Sequence, residues 1–371
     1  MLPLYKDAEE WLQHRQDSNL GLEYDKYIDE WSKTGDAEGV RVSMDPKGKQ
    51  RFYARFATSP GNYCSSLLRD YRERRYRLLW ELGGKVVRAR TVWRFVSGLG
   101  ASHPLEAGFI WHRTLGVPYL PSSSVKGMVR AWLTHWLGGA DDVAAERARA
   151  RAAELFGDTE TVGMGRLMFF DAVPETPPRL EMDIMNPHYG PYYSDPQKNL
   201  PGDYYSPVPV NFLVVPAGQW FEFTLAPADP RCTEDDLAEG IELLQKALEV
   251  IGCGAKTAVG YGVFESFQDK TDEVFAEFRR QEENAELEKL SPLERKLREL
   301  EIAVEKEGQT DTIIKTTTDL YYEMSTMSDD DKLVVAQTLR DVWMAVGRWS
   351  GKLSKKQREK VAEVKRVLGE V

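Results

Sequence analysis

The sequence predicts an α+β fold, and three observations predict it. Strand-like and helix-like patterns alternate in order: β at 85–96, α at 123–137, β at 165–173, β at 219–225, α at 234–250 and β at 258–267. The composition, 42% apolar and 29% charged over 371 residues, is that of a globular chain with about two domains and a sizeable core. Past residue 270 glycines thin out and charged helical sequence takes over. The order βαββαβ is the ferredoxin-like (RRM-like) arrangement. The expected organisation is N-terminal helices and a basic loop over 1–84, the core with its insertions over 85–270, and a helical C-terminal appendage over 271–371.

Residues 7–33 read as one or two short acidic helices, with Trp11, Leu12, Leu20, Tyr24, Tyr27, Ile28 and Trp31 on the buried side. The breaker-rich stretch 35–61 interleaves Arg41, Lys47, Lys49, Arg51 and Arg55 with Phe52, Tyr53 and Phe56, which suits either a single-stranded nucleic acid or a loop packed by its own rings. Asn62 to Leu82 has a helical period and is dense in arginine, a helix able to lie along a phosphate chain. The strand at 85–96 is rich in β-branched and aromatic residues and places Arg88, Arg90 and Arg94 on one face. In the next helix Ser122, Ser123 and Ser124 supply N-cap oxygens, and Val125, Met128, Val129, Trp132 and Leu133 follow helical spacing. Leu180 to Met185 is a hairpin candidate for the strand at 165–173, and Thr233 with Asp236 caps the helix at 234–250. Beyond 270, Ser291, Ser328 and Ser354 each start a helix of a small bundle packed by Leu297, Leu300, Leu320, Leu333, Val342, Trp343, Val346 and Leu353.

The net charge of −10 hides a strong asymmetry: residues 41–151 hold 20 Lys/Arg against 8 Asp/Glu, while residues 152–270 hold 7 against 19. Local field rather than net charge steers a polyanion, so the basic segment is the place to look for nucleic acid. Cys64, Cys232 and Cys253 are scattered, which argues against a disulfide framework, a zinc site or redox chemistry. Neither an 18-residue apolar run nor a signal peptide is present, so a cytoplasmic chain without membrane contact is expected, with no metal and no cofactor.

Two stretches carry the candidate chemistry. Serines followed by Lys126 in the first turn of a helix, with Arg130 four residues on, suit an anion site at a helix start or serve simply to cap that helix. Gly252–Gly262, GCGAKTAVGYG, offers Gly252, Gly254, Gly260 and Gly262 for close backbone approach, with Lys256 and Tyr261 as a charge and a flat ring for a phosphodiester chain and its bases. A nucleotide-phosphate loop is a decoy here, since Ala255 and Val250 stand where that motif needs glycine. The Pro- and Tyr-rich insertion 186–209, with His188 and Tyr189, is long enough to be functional, either stacking tyrosines on bases or docking a neighbouring protein.

Together, Gly116–Arg130 (GVPYLPSSSVKGMVR) and the 252–262 loop resemble the two signatures of the RAMP superfamily of CRISPR effector subunits. The His188-Tyr189 insert, followed by the run from Pro207 to Val215, is similar to the sixth-subunit family of the type III-B (Cmr) complex. The resemblance covers roughly residues 85–268. It implies a non-catalytic subunit that binds guide RNA near its 3' end at the foot of an antiviral complex, with target RNA and other RAMP subunits as further partners. It also implies that the serine-lysine turn and the glycine loop touch the guide backbone, and that the helices past 270 exceed the usual core. Two alternatives stand beside it. Because some RAMP relatives cleave RNA through a histidine, His112 with Lys126 could act as a metal-independent endoribonuclease site. The acidic C-terminal helices also fit an adaptor that contacts proteins and no RNA.

Overall fold

A computed structural model describes residues 19–36, 39–44, 46–57, 62–139, 141–158, 163–307 and 311–370. The chain divides into two compact units, Met1–Ala276 and Glu277–Val371. Among the described residues no helix is long and apolar enough to cross a membrane.

The first unit opens with α1 (Leu20–Lys26), the hairpin β1 (Ser32–Asp36) and β2 (Gly39–Ser43), α2 (Pro46–Phe56) and α3 (Asn62–Leu82). Strand β3 (Lys85–Thr91) follows, then α4 (Ser122–Ala131), which runs on as a π-helix over Trp132–Leu137, and α5 (Asp142–Phe156). Next come β4 (Leu167–Phe169), β5 (Val173–Pro174), β6 (Glu181–Met185), α6 (Gly190–Ser194), β7 (Val210–Val214), β8 (Trp220–Pro227), α7 (Glu234–Val250) and β9 (Phe264–Asp269), and α8 (Thr271–Lys289) begins in this unit. The central sheet has the order β4-β8-β3-β9, with β5 also on β8, and every pairing is antiparallel.

Alternation along β8 sets up the layers. Phe221, Phe223 and Leu225 join Val87, Ala89, Phe264, Leu237, Leu244 and Leu248 in the main buried cluster, each worth about 1.5–3 kcal/mol when fully removed from water for the larger side chains. Helix α7 comes close at Gly240, where a Cβ would meet Leu167 at 2.7 Å and Leu225 at 3.2 Å. The intervening Glu222 and Thr224 face the other way and are buried as well, because α3 covers them. Arg72 donates to Glu222 at 2.9 Å, the Tyr76 hydroxyl donates to the same carboxylate at 2.5 Å, and Arg75 reaches the Asp171 carbonyl and Thr224. That side of the sheet is therefore a closed polar layer at β8. The arginines of α3 expected along a phosphate chain divide: Arg72 and Arg75 point into this layer, while Arg69, Arg74 and Arg77 are exposed.

Several expected boundaries shift for identifiable reasons. The strand at 85–96 ends at Thr91, because the carbonyls of Arg94 and Val96 accept from the Gly262 and Ala255 amides instead of a ladder partner. The strand at 165–173 breaks after Phe169, where Asp171 turns its carboxylate to the Ser122 amide at 2.6 Å and Ala172 pairs with Leu120. Leu180 to Met185 does not pair with that strand; β6 pairs with β7, from Glu181 opposite Val214 to Met185 opposite Val210. The last strand starts at Phe264, since 257–259 form a 3-10 turn. Near the N-terminus the expected helices up to residue 18, with Trp11 and Leu12, lie outside the described residues; past Lys26 the chain leaves the helix and enters β1 at Ser32. The basic-aromatic stretch turns inward: Phe52, Tyr53 and Phe56 are buried on α2, Arg51 pairs with Glu30 at 2.7 Å, and Arg55 pairs with Asp29 and Glu30. Tyr24, Ile28 and the α2 rings belong to the same buried cluster as the sheet.

The second unit holds α9 (Pro292–Glu307), α10 (Asp311–Glu323), α11 (Asp329–Ala345) and α12 (Lys355–Val367). Ser291 and Glu294 form a reciprocal cap at the start of α9, and the side chains of Ser328 and Ser354 accept from the amides three residues on. Leu297, Leu300, Ile313, Leu320, Val335, Leu339, Val342, Trp343, Val361 and Val364 are its interior. Leu333, expected inside, is 43% exposed because it falls on the outer flank of α11.

Candidate nucleic-acid interface

The serines lie inside α4 rather than capping it. Pro121 is the N-cap, and its carbonyl accepts from Ser124 and Val125 at 2.9 and 3.1 Å. Ser123 and Ser124 are exposed, and Val125 and Val129 anchor the helix in the core. Successive residues are about 100° apart around a helix, so Ser124 and Met128 flank the buried stripe on one side while Ser122, Lys126 and Arg130 flank it on the other. The first turn of α4 thus stands between two depressions.

One depression, of about 430 Å³, joins α4 to the glycine loop. Ser124 and Met128 line it with Gly252, Gly254, Ala255 and Thr257, while Ser97 and Gly100 complete the rim. Lys256 lies between two of these residues, with its ammonium 5.7 Å from the Phe212 ring and 5.9 Å from the Tyr261 ring. The other depression, of about 330 Å³, is lined by Ser122, Ser123, Lys126, Met164, Gly165, Leu167, Met168, Phe169 and Ala228. The serine turn and the glycine loop therefore do share a groove, but Lys126 and Arg130 belong to the opposite flank of the same helix.

The glycines of the loop serve chain crossing first. Gly252, Gly254, Gly260 and Gly262 all have positive φ. A Cβ at Gly254 would lie 2.3 Å from the Val96 carbonyl oxygen, and one at Gly262 would lie 1.8 Å from that of Cys253. Amides expected to be exposed are mostly used at home: Gly252 donates to Ala247, Cys253 to Gly262, Gly260 to Thr257 and Gly262 to Arg94. Tyr261 does not offer its ring to a base. It is 5% exposed, and its hydroxyl donates to the Asp183 carboxylate, which raises the phenol pKa on top of the effect of burial.

The basic strand face is neutralised. Arg88 pairs with Glu175 at 3.0 Å, bonds Gln268 and stacks over Trp220; Arg90 pairs with Glu265 at 2.6 Å; Arg94 pairs with Asp183 at 2.9 Å. These three arginines knit the strand to its neighbours and carry little free field. Lys126, Arg130 and Lys256, in contrast, have no carboxylate in ion-pair range among the described residues. Burial, and then Arg130, hold the Lys126 ammonium below the usual lysine range.

His188 and Tyr189 sit at the base of the insertion, His188 on the Tyr205 carbonyl at 3.2 Å and Tyr189 donating to Asp203 at 3.0 Å. Tyr193 and Tyr204, in the same insertion, are 70% and 74% exposed. The His112 ring is wedged edge-on between Tyr71 and Tyr119, and its Nδ1 faces Thr114 and the Leu115 amide. Burial keeps it below the ordinary histidine pKa, and Lys126 is not among its contacts among the described residues. Sequence reasoning missed Met164 and Met168. The signal was an apolar residue at 168, on the solvent side of a strand whose neighbours Leu167 and Phe169 point inward.

Residues 82–265 match the RAMP superfamily. The chain is 31% identical to the CRISPR system Cmr subunit Cmr6 of Pyrococcus furiosus over 225 residues, 47% of this chain and 65% of the relative. It is 26% identical to the corresponding Cmr6 of Saccharolobus solfataricus over 162 residues, 43% of this chain and 49% of the relative. The matches thus span less than two thirds of either relative's own length. A cryo-EM structure of the type III-B Cmr-beta complex bound to cognate target RNA contains a chain 21% identical, covering 71% of this chain and 88% of that one with a TM-score of 0.45. By the match over residues 82–265 and these two relatives, the chain carries a region similar to the RAMP superfamily and resembles the Cmr6 subunit of type III-B complexes.

Proposed function

We propose that this chain is a non-catalytic, guide-RNA-binding structural subunit of a type III-B CRISPR effector complex, seated at the foot near the 3' end of the guide. The observation that carries the reading is the contrast between paired and unpaired cations. Arg88, Arg90 and Arg94 are neutralised within the fold, whereas Lys126 and Arg130 on one flank of α4, and Lys256 in the glycine loop, have no carboxylate in ion-pair range among the described residues. A single strand crossing the first turn of α4 meets the glycine loop and Lys256 on one flank and Lys126 with Arg130 on the other. Other RAMP subunits and target RNA are the further partners, in the cytoplasm. The sheet order β4-β8-β3-β9 with α4 and α7 supports the ferredoxin-like description of the 85–270 core, and we take 271–371 as an extension beyond it. The covered layer over Glu222 and Thr224 favours loops and helix starts over the sheet face as the RNA contact.

The test is salt dependence. Each phosphate contact on a single strand contributes about 0.7 to the slope of log affinity against log salt. Lys126→Gln with Arg130→Gln should lower the slope for single-stranded RNA by roughly 1.4, two contacts at that value, while Arg90→Gln should leave it unchanged. An unaltered slope in the double variant removes the assignment.

A further inference from the structure

The 330 Å³ depression holds two features that a bare surface does not explain. Met164 is 63% and Met168 38% exposed, side by side with buried Leu167 and Phe169. Ser122, Ser123 and Lys126 line the same hollow, the last half-buried and without a carboxylate partner among the described residues. Exposed thioethers present a polarisable apolar surface that suits the face of an aromatic ring. A partly desolvated, unpaired ammonium calls for an anion. An occupant that satisfies both carries a flat ring and a negative charge a short distance apart. The volume lies at the lower end of the range for small-ligand pockets, about 300–1,000 Å³, so it admits one such unit.

We propose that this hollow is a subsite for one unstacked nucleotide of a bound single-stranded RNA, with the base against Met164 and Met168 and its phosphate at Lys126. The inference rests on the RNA reading given above and assigns a second nucleotide position to it, on the flank of α4 away from the glycine loop. A protein side chain is the weaker fit, because lysine and serine are depleted from the buried centres of protein interfaces. The methionines contribute a sequence-tolerant contact, since every base has a ring face. Lys126 contributes the charge, and the serine hydroxyls can donate to the sugar-phosphate backbone.

The experiment is a binding cycle with the full chain and two probes, a single-stranded RNA and the same strand made abasic throughout. Met164→Ser with Met168→Ser should weaken binding of the base-bearing strand by roughly threefold to tenfold, the range of sulfur–aromatic contacts, with the salt slope unchanged. The abasic strand should bind the variant and the parent alike. Equal losses on both strands, or no loss on either, overturn the subsite. If Lys126→Gln still lowers the salt slope in that case, the RNA reading survives without it. If the parent chain binds neither strand, both readings fall together.

Discussion

His103 shows how much one residue's environment decides. Its ring stacks on Tyr24 with centroids 4.3 Å apart, Nε2 lies 3.0 Å from the Tyr24 carbonyl and Nδ1 accepts from the Leu105 amide at 3.2 Å. Only the neutral ring, protonated on Nε2, serves both partners. Burial accordingly lowers the pKa from 6.5, against smaller opposing effects of the Tyr24 carbonyl and Asp25. As pH falls through 6.5 the unfolded chain takes up the proton first, so the stability that His103 contributes is complete above about that pH and is lost as pH falls towards the lower folded value. Urea midpoints at neutral and mildly acidic pH should therefore separate more in the parent than in His103→Gln, which keeps one donor and one acceptor but does not titrate. An NMR titration giving His103 a folded pKa above 6.5 would contradict this sign. The residue scale is also where the sequence was least legible. Arg88 and Arg90 were correctly placed on a strand, with Arg94 three residues past its end, but their partners Glu175, Glu265 and Asp183 lie 87, 175 and 89 residues away. Charge at a position is local information; whether it is free is not.

At the scale of elements, periodic pattern carried α3, α4 and α7 because an amphipathic helix writes its buried face into a short window. The β6–β7 hairpin left no such mark, since its two strands are separated by the whole 186–209 insertion and pairing has no local period. The glycine loop was legible as a place of close approach, but what approaches is the chain itself. Gly254, Gly260 and Gly262 have φ of +86°, +91° and +70°, so alanine at any of them costs about 1–2 kcal/mol in left-handed strain. At Gly260 the nearest atom to a new Cβ is Trp93 at 3.9 Å, and the cost should stop there. At Gly254 and Gly262 the Cβ also runs into backbone carbonyls, that of Val96 past the end of β3 and that of Cys253 within the loop itself. Thermal unfolding should show a small drop for Gly260→Ala and clearly larger ones for the other two. Equal drops would mean that the crossing is looser than these distances.

Across the whole molecule, the mixed α+β character, the basic segment and the change of texture past 270 could all be read from sequence, because each is a property of long stretches that averages over local error. The tight boundary residues and the neutralising partners could not. The two largest buried clusters among the described residues have no residue in common: one is built from Tyr24 to Phe264, the other from Leu297 to Val364. A four-helix interior that includes two tryptophans, Trp343 and Trp349, is enough for about 80 residues to fold without help. Residues 290–371, expressed alone, should give a helical spectrum and one cooperative thermal transition; a gradual, non-cooperative melt would show that this interior needs the rest of the chain. The complementary fragment, residues 1–289, retains Lys126, Arg130, Lys256 and both depressions. The removed part, residues 290–371, carries no net charge, with 15 Lys/Arg against 15 Asp/Glu. Since no phosphate contact is assigned to it and its charge sums to zero, the fragment should bind single-stranded RNA with the same salt slope and the same affinity as the full chain. A shallower slope would mean that cations beyond residue 289 touch the strand, and that the helical extension belongs to the RNA surface as well.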